Sequence, residues 1–228
     1  MKVLVVAAHP DDEVLGCGGT VAHHCHCGDE VHVLIVAEGL TSRMPVRDAE
    51  AVGTELRGLM ASTVAANAAL GVPASNVAML GLPDNRLDEL PRLDVIKAIE
   101  DKVQSFLPHT VYTHHGGDLN VDHRRVYEAV VTACRPLPGS SVKRLLCFET
   151  VSSTEWAPYA SGHFVPNCFK DIGPTWRHKE AALVAYDSEM RPWPHPRSIR
   201  ALQALSQWRG STVGLEAAEA FTIVREIG

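Results

Sequence analysis

His9-Pro10-Asp11-Asp12-Glu13 puts one imidazole and three carboxyls into five consecutive residues. Far downstream, His114-His115-Gly116-Gly117-Asp118-Leu119-Asn120-Val121-Asp122-His123 gathers a second set of imidazoles and acids. Carboxylates crowded together repel unless a cation or a proton relieves them, and a metal ion is the simplest relief. Helix capping would explain one acid, Asp11 or Asp12 as N-cap with Glu13 in the first turn, but not three. If the two runs meet, His9, His123 and one carboxylate can hold an ion while leaving a coordination place open, as catalytic zinc sites do. Asp122, beside His123, is the type of group that orients a metal-bound imidazole. Two histidines and a carboxylate also describe iron(II) oxygenases, and a zinc-binding module without activity is the non-enzyme alternative. The spare acid beside the ligand set speaks for chemistry, since a purely structural zinc would be fully ligated.

The elements around both runs say how they would meet. Val3 to Ala8 is a continuous apolar run, the pattern of a strand buried on both faces of a parallel sheet, and His32 to Ala37 reads as a second buried strand. A helix from Asp12 to about Cys27, stopped by Gly28, joins them as one βαβ unit. Further helices are expected near Ala49 to Leu70, Asp94 to Phe106, Asn120 to Cys134, Thr175 to Tyr186 and Ser198 to Arg209. Strands are expected at Val77 to Leu80, Thr110 to Thr113, Lys143 to Glu149, Phe169 to Ile172 and Ala217 to Arg225. This alternation predicts one α/β domain over residues 1–228, Rossmann-like and doubly wound, with a mostly parallel sheet and helices on both faces. Both polar runs then fall at carboxyl ends of strands, where open α/β sheets bind ligands. Gly16-Cys17-Gly18-Gly19 superficially resembles a dinucleotide loop, but it follows the acids rather than the strand, so it reads as close packing of the first helix.

Composition narrows the partners. A net charge of −6 gives no footprint for nucleic acid, and no apolar run approaches the length of a membrane span. Six irregularly spaced cysteines read as reduced thiols, and with no leader-like N-terminus the expected location is cytoplasmic. His23-His24-Cys25-His26-Cys27 invites a second metal site, but it ends the first helix, at the opposite end from the acids, where histidine complements the helix dipole. Arg43 and Arg197 are candidates for substrate hydroxyl or phosphate groups and equally for surface arginines; Glu149 is a weaker candidate. His115 reads as a solvated loop residue.

Val5 to Glu13 with Leu15-Gly16-Cys17-Gly18-Gly19, and Asp118-Leu119-Asn120-Val121-Asp122-His123, resemble the LmbE-like or PIG-L-like zinc-dependent de-N-acetylases, and the likeness continues through Asn167 to Ala182 and Pro194 to Phe221. The resemblance implies that His9, Asp12 and His123 bind Zn2+ and that Asp11 is the general base for water attacking an N-acyl amide. It also implies a small-molecule substrate, an amino sugar, glycoside or natural-product intermediate, and a chain able to self-associate. Adjacent residues at a helix start point roughly 100° apart, so one acid can bind the ion while its neighbour faces water. Many members carry a histidine where this chain has Asn120, and an amide donates a hydrogen bond but transfers no proton. His195 and His114 are the candidates for that missing acid. The expected site is therefore Asp11, Asp122 and His195 for catalysis, His9, Asp12 and His123 for metal, and Arg43, His114, Asn120 and Arg197 for substrate.

Overall fold

In the computed structural model, which describes residues 1–48 and 50–228, the apolar runs form the centre of one sheet. The chain order is β1 (Lys2–Ala7), α1 (Asp12–His26), β2 (Glu30–Ala37), α2 (Gly53–Ala69), β3 (Val77–Leu82), α3 (Arg92–Phe106) and β4 (Thr110–His114). There follow α4 (Val121–Ala133), β5 (Arg144–Phe148), β6 (Cys168–Asp171), α5 (Trp176–Ala185), α6 (Ile199–Ser211) and β7 (Ala218–Glu226). The strands lie in the order β3-β2-β1-β4-β5-β7-β6. The first five are parallel, and β7 is antiparallel to both β5 and β6. The expected mostly parallel, doubly wound α/β fold is the one observed. The start proposed for the second helix, Ala49, lies outside the described residues, and that helix begins at Gly53.

The two faces of the sheet carry different helices. Val3, Val5, Ala7, Val33 and Ile35 pack on one face with Val14, Leu15 and Val21 of α1, Leu59 of α2, Leu183 of α5 and Leu202 of α6. Leu4, Val6, Leu34 and Val111 pack on the other with Ile99 and Val103 of α3 and Val126 and Val130 of α4. β1 and β4 are neighbours, with Val3 opposite Thr110. The helix after β1 crosses to one face and the helix after β4 to the other, so their carboxyl ends open a crevice at the point where the strand order reverses. His9 and His123 stand on its two sides.

The first helix must lie close to the sheet for this to hold. A Cβ at Gly16 would sit 2.2 Å from the Phe148 ring, and one at Gly19 would sit 2.7 Å from Ile172. Close packing, not phosphate binding, explains those glycines. The helix is broken at Cys17 (φ −146°, ψ 20°), and the freed backbone groups are met by a buried ion pair. Glu219 accepts from Gly19 N and Thr20 N, while Lys179 donates to Leu15 O and to Glu219. All six cysteines are free thiols. Among the described residues no helix is long and apolar enough to cross a membrane.

Candidate metal and active site

The three acids of the first run part company at the start of α1. Asp11 is the N-cap residue, yet its side chain caps nothing, and its backbone takes φ 105°. A non-glycine residue there is strained and must be held by its surroundings. Part of that hold is Glu13 Oε2, which accepts the Asp11 N–H at 3.1 Å. Glu13 faces inward, where its other oxygen accepts from Tyr186 Oη and Asn67 Nδ2. Burial pushes its carboxyl up to about 7 in spite of those bonds. Asp11 faces the opposite way, with Oδ2 2.6 Å from Arg197 Nη1. The repulsion among the three acids is thus partly met by an arginine and by the displacement of Glu13, not by a cation alone.

Asp12 lies between two imidazoles. Its Oδ2 is 3.3 Å from His9 Nδ1 and 3.2 Å from His123 Nε2, and it also accepts the His9 N–H. Each imidazole is backed by a further carboxylate. His9 Nε2 faces Asp122 Oδ2 at 3.0 Å and Asp84 Oδ1 at 3.2 Å, and His123 Nδ1 lies 3.1 Å from Asp118 Oδ1. Burial opposes charge on His123, but Asp12 and Asp118 outweigh it and raise the ring to about 9. His9 is likewise raised against burial, by Asp12, Asp122 and Asp84. Asp12 is held well below the ordinary carboxylate range, because His123, His114 and His9 overcome its own burial.

Two sets of side chains are close enough to share an ion: His9, Asp12 and His123, or His9, Asp84 and Asp122. Their unpaired atoms distinguish them. Asp122 already accepts from Asn85 N and Leu87 N, and Asp84 from Ser42 N, Ser42 Oγ and Asn85 Nδ2. In the first set, Asp12 Oδ1 is buried without a hydrogen-bond partner, and the two His123 ring nitrogens, though 3.1–3.2 Å from Asp118 and Asp12, make no well-aligned hydrogen bond to either. Buried polar atoms are seldom left so. Two imidazoles and a carboxylate, each imidazole backed by another carboxylate, fit a divalent ion of the zinc type.

The remaining expected residues fall in different places. Arg43, Asn120 and Arg197 line a polar pocket of about 140 Å³ together with His9, Asp11, Asp84, Asn85 and Glu189. Asn120 caps α4, its Oδ1 accepting from Asp122 N and His123 N, and its Nδ2 donates to Asn85 Oδ1. Asp122 is fully buried and serves His9, not His123; the two neighbours diverge at the helix start, and Asp118 takes the place beside His123. His114 is also fully buried, stacked under His123 with centroids 3.9 Å apart. Its Nε2 accepts the Ala8 N–H at 2.8 Å, so the proton is on Nδ1, facing Thr150 Oγ1. That leaves His114 no surface to offer a substrate. His195 does not join the pocket either: its Nδ1 accepts the Arg197 N–H and its ring stands edge-on to Trp156.

Sequence reasoning missed Asp84 and Glu189, and it named Asp118 only within the second motif, without a role. Asp84 follows β3 in Leu82-Pro83-Asp84-Asn85, a polar turn at a strand's carboxyl end that the same rule would have found. Glu189 lies in irregular chain after α5 and carries no such signal, yet its Oε2 accepts from Arg43 Nη2 at 2.6 Å and lies 3.9 Å from Arg197 Nη1. In the His23 to Cys27 cluster His23 Nε2 lies 3.6 Å from Cys27 Sγ, but His24 turns to Asp29 and Tyr112 and His26 to Ala22 O, so the side chains do not converge on one site.

With this geometry in view, similarity to known proteins defines the class. Residues 4–134 match the family PIG-L, described as GlcNAc-PI de-N-acetylase, and this chain belongs to that deacetylase family. The uncharacterized deacetylase YaiS of Escherichia coli K12 is 29% identical over 175 residues, which are 75% of this chain and 81% of the relative. A 1D-myo-inositol 2-acetamido-2-deoxy-alpha-D-glucopyranoside deacetylase of Saccharomonospora viridis is 32% identical over 176 residues, 67% of this chain and 63% of the relative. Among solved structures, N,N'-diacetylchitobiose deacetylase of Pyrococcus horikoshii superposes with a TM-score of 0.75 at 22% identity, covering 98% of this chain and 84% of that one. GalB of Pseudomonas putida, a 4-carboxy-2-hydroxymuconate hydratase, gives 0.78 at 21% identity, covering 100% and 97%. The structural likenesses establish the fold, and a fold that also carries a hydratase does not by itself choose the reaction.

Proposed function

We propose that the chain hydrolyses the N-acetyl or similar N-acyl amide of an amino sugar, a glycoside or a natural-product intermediate, with Zn2+ held by His9, Asp12 and His123. The supporting observation is Asp12 set between two imidazoles, its Oδ1 buried and unpaired, beside a second acid, Asp11, that takes no part in that set. Held there, the ion would supply a Lewis acid for the amide carbonyl and lower the pKa of a bound water toward neutrality.

The chain's own groups do the rest. Burial drives the Asp11 carboxyl well above its usual range even though Arg197 pulls it down, which suits an acid that takes a proton from water and returns it to the departing amine. Arg197 engages Oδ2, leaving Oδ1 for the water. Asp122 and Asp118 fix the two imidazoles from behind. Arg43, Asn85, Asn120 and Arg197 ring the pocket with donors for sugar hydroxyls and the developing oxyanion. Six free thiols in a chain with its own large core support a cytoplasmic setting.

The test is release of acetate from a panel that includes N-acetylglucosamine, N,N'-diacetylchitobiose and the inositol glycoside, with and without a chelator. Chelator-sensitive release restored by added zinc is expected. No acetate from any member, with oxygen consumed after iron(II) is added, would replace this reading by the oxygenase one.

A further inference from the structure

Beside the polar pocket lies a second cavity of about 260 Å³, walled by Val151, Pro194, Pro196, Ala201 and Leu205. The acids at its edge are already engaged: Glu149 makes two bonds to Arg209, and Glu155 accepts from Ser152 N and Ser153 N. Thr150 is the one other polar lining residue, its Oγ1 turned to His114 Nδ1 at 3.3 Å, and the remaining wall is apolar. An apolar cavity of about 150 Å³ is enough to take up benzene, so this one has room for a substituted ring.

Its position ties it to the reaction. Val151 and Pro196, which wall the cavity, are chain neighbours of Ser152 and Arg197. The Arg197 side chain, which lines the polar pocket, has its Nε on Ser152 Oγ at 2.8 Å and its Nη1 on Asp11 Oδ2 at 2.6 Å. Chain neighbours of two wall residues therefore tie the cavity to Asp11. The two wall segments also end in large exposed aromatics, Trp156 and Trp193, each about half exposed. Trp193 carries Arg200 over its face at 4.4 Å, and Trp156 stands against His195.

We propose that this cavity is a subsite for an apolar aglycone, about one aromatic ring in size, carried by the amino-sugar substrate. The inference rests on the deacetylase reading for the sugar half of that ligand. An aglycone fits better than a long N-acyl chain: the acyl end must point inward toward His9 and the buried Asp12 and His123, and the polar pocket on that side measures only about 140 Å³. The rest of the substrate points outward past Arg197, toward the cavity.

Calorimetric binding of phenyl and methyl 2-acetamido-2-deoxy-β-D-glucopyranoside to the zinc-supplemented chain and to Ala201→Phe tests this. The phenyl glycoside is expected to bind about tenfold more tightly than the methyl one, from the apolar area it buries. Ala201→Phe fills the cavity and should abolish that preference while leaving methyl glycoside binding in place. If that variant does not fold, Ala201→Val and Leu205→Phe decide by the same ratio. Equal affinities in the unaltered chain, no binding of either glycoside, or a preference that survives the filled cavity overturns the proposal. So does an N-hexanoyl analogue whose added affinity, in place of the phenyl group's, is lost on filling. Acetate release is followed separately: phenyl preference without acetate would leave the subsite standing and remove the deacetylase reading.

Discussion

Arg197 Nη1 lies 2.6 Å from Oδ2 of Asp11, so the acid we propose as the general base is itself paired with a guanidinium. Burial and Arg197 pull the Asp11 carboxyl in opposite directions, and burial prevails. Removing the arginine removes the lowering influence alone. In Arg197→Ala the acid limb of the kcat/KM profile should therefore move to higher pH, with about a hundredfold loss at neutral pH from a loosened Asp11. An unshifted limb would show that Asp11 is not the titrating base.

Asp11→Asn keeps the shape of the side chain and leaves His9, Asp12 and His123 untouched. It should retain the metal content of the unaltered chain while turnover falls by roughly 10²- to 10⁴-fold. Metal analysis and acetate release on the same preparation check both halves, and near-normal turnover would remove Asp11 from the chemistry.

Asn120→Ala strips α4 of its cap and should cost about 1 kcal/mol in denaturant unfolding. Asn120→Asp, which can still accept from Asp122 N and His123 N, should recover most of it. Asn120→His should unfold as easily as the alanine variant, because an imidazole in that place gives up the cap. Equal stability of all three would mean that the cap does not anchor His123.

His114 is neutral because burial, helped by the His123 charge beside it, lowers its ring from 6.5 to about 3. A histidine depressed in the folded state binds fewer protons folded than unfolded between those values. Its contribution to stability is complete above about 6.5 and is lost as pH falls toward 3. In metal-stripped protein the unaltered chain should lose stability between pH 6.5 and 5 more steeply than His114→Gln, by up to about 1.4 kcal/mol per pH unit. Parallel curves would show that His114 titrates normally.

The sequence carried the sheet well, because β1 and β2 contain the unbroken apolar runs Val3 to Ala7 and Val33 to Ala37, and buried parallel strands leave that trace. It also carried His9 and His123 with one carboxylate of the first run, since each sits at a strand end or the helix start that follows it; the choice of Asp12 among the acids came from the family resemblance. Side-chain direction was not legible. Asp122 was expected beside His123 and serves His9, a turn of about 100° that spacing cannot choose between. His114 and His195 have the right type for acid chemistry, but one lies under His123 and the other is bonded to the Arg197 backbone. Glu189 was invisible because its partners, Arg43 and Arg197, come from distant loops that meet only in the folded chain.

The most direct measurement is anomalous diffraction at the zinc edge from crystals of the zinc-supplemented chain. One strong peak is expected at roughly 2.0–2.2 Å from His9 Nδ1, an Asp12 carboxylate oxygen and His123 Nε2. A peak bound instead through His9 Nε2, Asp84 and Asp122, with nothing between Asp12 and His123, would contradict the site proposed for this chain.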